Sequence, residues 1–313
     1  MDSLKQWYAY WFKFGSPVTM GVFRILMGGL ILLNLINIAP FFSDWFGRYG
    51  YIPARISEYA LEGHVRLNPD GSQYLVRINL LQGIENPTII AIFYGVTMLA
   101  ALLTCLGLWT RLSSIILAIG IVSIHHRTTL VLHGGDTVMR VMALYMAIAP
   151  SGAAVSLDRL FAVRKGKAPI IPPLVSMWPQ RLIAYNCSLL YLTTTWAKWF
   201  GQLWKTGDAA WYPARLNEFE RFPVPPFLNE YPFVKLATYG TLAVEFGLAT
   251  LVWFKPLRKW VLLAGVGLHL YIDYSMSIPL FSYLMMSMYV AFYEGEEVAA
   301  WWDKLKERFQ RKP

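Results

Sequence analysis

The sequence predicts an all-α fold, a polytopic transmembrane helical bundle of about eight spans with both termini cytoplasmic, preceded by an N-terminal interfacial helix. Three observations carry that prediction. Of 313 residues, 56% are hydrophobic and only 15% charged, where a soluble domain carries roughly a quarter of its residues as charges. The charges lie between apolar runs long enough to measure against a bilayer, which takes about 20 residues of helix to cross. Eight such spans use about half the chain and leave loops too short, two excepted, to fold as domains of their own.

Residues 1–15 are aromatic and weakly basic with no small-residue cleavage site, which reads as a helix lying on the membrane surface. Spans follow at about 18–38, 87–107, 112–131, 137–156, 181–200, 235–254, 257–274 and 277–293. They form one transmembrane domain over 16–293, and 294–313 is a charged cytoplasmic tail. Stretches 86–110 and 274–293 contain no charge and are the clearest spans, whereas 235–254 carries Glu245 at its middle.

Orientation follows from Lys and Arg. With eight alternating spans, 16 of the 28 fall on one side and 8 on the other, in the two longest loops. The richer side is cytoplasmic, which places 40–86 and 200–234 outside. The second of these loops mixes Trp204, Trp211, Tyr212 and Phe222 with Pro213, Pro223, Pro225 and Pro226. It reads either as a cap over a pocket or as an interfacial aromatic belt, since a flexible linker would be polar.

Other classes are excluded by residue type. Cys105 and Cys187 each sit inside an apolar run, which rules out a disulfide framework and a four-thiolate metal site. The net charge of +9 reads as membrane anchors, so membrane lipid is the expected partner and nucleic acid is not. His125 and His126 are adjacent and point about 100° apart on a helix, so no metal is predicted.

Ionisable residues inside spans are costly and mark candidate sites. By depth, His125, His126 and Arg127 close the third span, Asp136 and Arg140 open the fourth, Lys198 ends the fifth, and His269 with Asp273 lies late in the seventh. All fall in the outer half of the bilayer, which predicts a polar pocket opening outward. His269 and Asp273, four apart, share a helix face. The carboxylate either orients the imidazole or both are ordinary interfacial residues. Lys198, flanked by Trp196, Trp199 and Phe200, is either a desolvated base or a snorkelling end residue. Arg24 lies in the inner half, and Glu245 at mid-depth needs a partner, for which Arg24 or Thr241 are the candidates.

The stretch His133-Gly-Gly-Asp136-Thr-Val-Met-Arg140, then Ala149-Pro150-Ser-Gly, then Ser156-Leu-Asp158-Arg159, resembles the HTTM domain shared by vitamin K-dependent γ-carboxylase and its bacterial relatives. Lys198 with Trp204 and Gly207, followed by Asp208-Ala-Ala-Trp-Tyr, and Leu268-His269 followed by Ile278-Pro-Leu-Phe281, continue the resemblance in order over about 18–293. The resemblance implies Lys198 as catalytic base, His269 bordering the same site, and reduced vitamin K or another quinone as cofactor. It also implies a secreted peptide or protein as substrate at the outer side. Gly134-Gly135 stands where the carboxylases carry an Asn-His pair, and the chain ends about 20 residues past its last span, without their lumenal domain. The plan is similar to short bacterial members, which implies the bacterial inner membrane. Two functions are therefore expected. One is a γ-carboxylase-like membrane enzyme acting on a lipophilic substrate. The other is a non-catalytic maturation or export factor for a secreted peptide.

Overall fold

The computed structural model describes residues 2–53, 56, 65–67, 73–75, 79–128 and 132–310. Among them the architecture is almost entirely helical, with strands of two or three residues only, such as Val65–Leu67 paired antiparallel with Gln73–Leu75. The chain divides into two compact units, Ser16–Val175 and Met1–Gly15 with Ser176–Pro313.

The first unit is built from α2 (Val18–Ile38), which continues through a 3-10 turn into α3 (Phe42–Phe46), then α4 (Pro87–Leu106), α5 (Thr110–Arg127), α6 (Gly134–Ile148) and α7 (Leu157–Arg164). α2, α4, α5 and α6 pack side by side. Their contacts use small residues, as membrane helices do. At Gly120 an added Cβ would press into Thr97 of the neighbouring helix. Asn86 caps α4, accepting from Thr88 N at 2.9 Å, and Gly107 ends it at φ +70°, a conformation that favours glycine.

In the second unit, α1 (Asp2–Phe12) packs on α8 (Trp178–Trp199), with Trp11 stacked on Tyr185 at 5.0 Å. α8 packs against α10 (Tyr231–Ala249) and a 3-10 turn, Met288–Phe292. α10 packs on α11 (Lys255–Ser275), and α11 on α12 (Phe281–Ser287). The connection after α8 carries α9 (Gln202–Thr206) and three 3-10 turns at Ala209–Trp211, Pro213–Arg215 and Pro226–Asn229. α13 (Gly295–Gln310) is the last helix.

A helix occupies each of the eight expected segments. Two helical segments, Val18–Phe46 and Pro87–Leu106, have the length and apolarity needed to cross a bilayer. Both are apolar on both sides. Met27, Ile31 and Leu35 are buried inside while Leu26, Leu33, Ile36, Ile92 and Leu99 are exposed, the pattern of a helix facing lipid rather than water.

Two segments differ from expectation. The stretch 274–293, although chargeless, is helical beyond the end of α11 at Ser275 only over Phe281–Phe292, about 18 Å of rise against a hydrocarbon core of about 30 Å. Pro279 interrupts the run and Leu280 takes a positive φ of 56°. α6 stops at Ile148 instead of reaching 156, because Ala149 before Pro150 is pushed into the extended region, at ψ 151°.

Candidate functional site

In the first unit the sequence-predicted polar residues gather at the end of α5 and the start of α6. His125, fully enclosed, places Nε2 3.9 Å from Asp136 Oδ1. Asp136 Oδ2 accepts from the His133 backbone N–H at 2.8 Å, while Gly135 N–H donates to His133 Nδ1 at 3.0 Å. This is a reciprocal cap at the first turn of α6. Arg140 Nη2 donates to Thr137 Oγ1 at 3.0 Å, and His126 is half-buried beside them. Arg127 is buried and its guanidinium is committed to main chain, Nε to Phe46 O at 2.7 Å and Nη1 to Leu81 O at 2.8 Å. That tethers α3 and the segment before α4, so Arg127 has the contacts of a scaffold residue.

Arg24 likewise serves the backbone. It is fully buried, donates from Nη2 to Val155 O at 2.5 Å, and occupies the space where a Cβ on Gly107 would stand. Asp158, from the Ser-Leu-Asp-Arg motif, accepts from Trp109 N and Thr110 N at 2.8 Å each and so closes the start of α5.

The second unit collects its polar groups along one face of α8. Tyr191, Thr194 and Lys198 follow one another at three- and four-residue steps, which stacks them on a single side of a helix. Lys198 Nζ donates to Glu245 Oε1 of α10, and Thr194 Oγ1 to Glu245 Oε2 at 3.4 Å. Two turns earlier, Tyr191 Oη is 2.7 Å from His269 Nε2 of α11 and 2.8 Å from Tyr289 Oη. His269 is 2% exposed, and its Nδ1 has no partner among the described residues. Gly265, one turn before His269, makes this approach sterically feasible, since a Cβ there would stand 2.7 Å from Tyr289 Oη. Trp204 presents its ring 5.3 Å from Lys198 Nζ. A cavity of about 180 Å³ beside it is walled by Trp199, Trp204, Lys205, Tyr239 and Leu242.

Lys198 and Tyr191, the partner of His269, thus lie along one stripe of α8, two helical turns apart, and three expectations change. Glu245 pairs with Lys198 and Thr194, whereas Arg24 is bound to Val155 O and Thr241 to Ala237 O. Asp273 does not orient His269: at the end of α11 it meets Arg221 Nη1 at 2.9 Å and Tyr283 Oη at 3.0 Å, while His269 turns inward to Tyr191. The residues flanking Lys198 do not wrap it. Trp196, Trp199 and Phe200 are exposed, because sequence neighbours on a helix diverge by about 100°. The aromatic ring facing the ammonium is Trp204.

Tyr191, Thr194 and Tyr289 carry no charge at neutral pH and so fall outside the charged and histidine candidates that the sequence offers. For the first two the signal is present as a polar stripe at 188, 191, 194 and 198 within an apolar helix. Tyr289 has no such signal. Among the described residues no group of three or more His, Cys, Asp or Glu side chains is arranged to hold a metal ion.

The HTTM domain model matches residues 12–296. The chain belongs to the HTTM-domain family. This is a membrane family related to the vitamin K-dependent carboxylase, and the HTTM match covers both units, with the α8 stripe and the α5–α6 cluster inside it. Comparison with curated proteins and with solved structures finds no match for this HTTM chain.

Proposed function

We propose that this HTTM protein is an integral membrane enzyme, γ-carboxylase-like, in which Lys198 is the base in an outward-facing intramembrane pocket and acts on a quinone-like or other lipophilic substrate. The observation that carries this reading is the Lys198–Glu245 pair, set against Trp204 at the edge of an aromatic cavity. A proton passed from Lys198 to Glu245 leaves the net charge of the pair unchanged, so the amine is freed without stranding a lone charge in the bilayer. Thr194 holds the second carboxylate oxygen, and the Trp204 face steadies the ammonium when it reforms.

The aromatic walls of the 180 Å³ cavity fit a flat ring such as reduced vitamin K or another quinone. When bound, that cofactor would supply reducing equivalents and an acidic ring hydroxyl. His269, with Nε2 engaged by Tyr191 and Nδ1 unengaged, is the second catalytic residue, a donor or acceptor for charge that develops nearby. The reading includes about eight membrane segments, the last a short helix that enters without crossing by itself as a full span, and both termini cytoplasmic, in the bacterial inner membrane. Residues 1–15 lie on its surface, 16–293 act as one domain, and 294–313 form the tail. The product is a modified secreted peptide.

A second reading, a non-catalytic maturation or export factor, draws on the exposed Tyr212, Leu216, Phe219, Phe222 and Phe227 of the loop after α9. Exposed apolar side chains in one loop suit a peptide partner.

The test is a density map of the protein purified with its native lipids, with mass spectrometry of the extracted small molecules. It is followed by turnover of reduced vitamin K by wild type and Lys198→Ala. A quinone beside Lys198 and a rate loss of at least about 10²-fold in a folded variant are expected. Equal turnover by the variant, or no lipophile in the site, would overturn the catalytic assignment and leave the maturation factor.

A further inference from the structure

A second cavity, of about 300 Å³, lies between α10 and α11, and neither Lys198 nor Glu245 lines it. Its floor is made of small residues, Ala237 and Gly240 on α10 and Ala264 on α11, and its roof of Trp211, Leu228 and Phe233 from the loop and the start of α10. A Cβ added at Gly240 would meet nothing within 4 Å, so the space is open down to the helix backbone. The outer faces of the same helices carry exposed Leu236, Leu263 and Leu270, which a bilayer would cover.

One charged residue lines this cavity. Arg215 is half-buried, with Nη1 on Trp211 O, Nη2 on Asn229 Oδ1 and its guanidinium 4.7 Å from the Trp211 ring centroid. Among the described residues no carboxylate lies within ion-pair distance of it, whereas Lys198 and Arg221 in the same unit each have one. An unpaired guanidinium at the rim of an apolar slot is matched by an anion with an apolar tail, since the planar fork binds carboxylate or phosphate while the slot removes methylenes from water. The volume sits at the low end for small-molecule sites and suits one chain, not a two-chain lipid.

We infer that the cavity between α10 and α11 binds a single-chain amphiphile from the membrane, its chain over Gly240 and its anionic head on Arg215. The site is separate from Lys198, and the inference stands whether or not that residue is catalytic.

The experiment uses the full chain in lipid nanodiscs with three diazirine-bearing probes: palmitate, a 16-carbon lysophosphatidic acid and palmityl alcohol. Cross-links are mapped by peptide mass spectrometry. One or both anionic probes should label residues 209–244 and 264–271, and the stronger of the two tells carboxylate from phosphate. Gly240→Leu, or Ala264→Leu from the opposite wall, should lower that labelling about tenfold by filling the slot. Arg215→Gln should lower anionic labelling by a similar factor and leave the alcohol unchanged. Labelling spread evenly over the lipid-facing helices, or unaltered by either filling variant, would overturn the site. Equal loss of acid and alcohol labelling in Arg215→Gln would overturn the role of the guanidinium.

Discussion

The two units use the charged and polar residues of their helices in different ways. In Ser16–Val175, Arg24, Arg127, Asp136 and Asp158 are bonded to main-chain carbonyls and amides, each fixing a loop or a helix end. In the unit built on Ser176–Pro313 the bonds run between side chains, Lys198 to Glu245 in one group and Tyr191 to His269 and Tyr289 in another. A side chain spent on backbone holds the fold and has no freedom to move a proton. A chain of side chains can exchange protons without unfolding anything. The difference separates residues that look alike in sequence, for Arg127 and Lys198 are both cations at the end of an apolar helix.

The comparison breaks most visibly at Arg127. Arg127→Ala leaves Phe46 O and Leu81 O without their charged donor and should cost about 3–5 kcal/mol, read as a large fall in the detergent melting temperature. A variant that stays fully stable but loses ligand binding would return Arg127 to the outward polar pocket expected from sequence.

Smaller effects are expected in the other unit. Glu245→Ala alone strands an ammonium and should destabilise by about 2–4 kcal/mol, whereas the double variant Lys198→Met with Glu245→Met should recover most of that loss and remain inactive. If the double variant is no more stable than the single, the pair is not coupled as drawn.

Gly265→Ala sharpens the contrast further. Its methyl group would push on Tyr289 Oη and should cost about 1–3 kcal/mol. Adding Tyr289→Phe should relieve most of that cost, as measured by thermal unfolding of the single and double variants. The smallest change is for Tyr191→Phe, about 1–2 kcal/mol for a hydroxyl shared between His269 and Tyr289. Stability unchanged to within a few tenths would show that the hydroxyl chain contributes nothing to packing.

Much of the fold was legible in the residues because apolar runs and prolines act locally. The starts of α2 at Val18 and α4 at Pro87 coincide with the expected span limits, and Asn86 before Pro87 is an ordinary helix-start signal. The short last segment was not legible, since composition counts apolar residues while Pro279 and the left-handed Leu280 decide how many of them are helical.

Of the candidate site, sequence determined which residue types lie within the apolar segments and that Lys198 and His269 stand in helices. It also held the polar stripe at 191, 194 and 198, because helical period is a local property. Tertiary structure alone decided the partners. Glu245 meets Lys198 and not Arg24, Asp273 meets Arg221 and not His269, and Tyr289 reaches Tyr191 where Gly265 leaves space. Partner choice depends on which helices pack and at what rotation, and no single-chain periodicity encodes that.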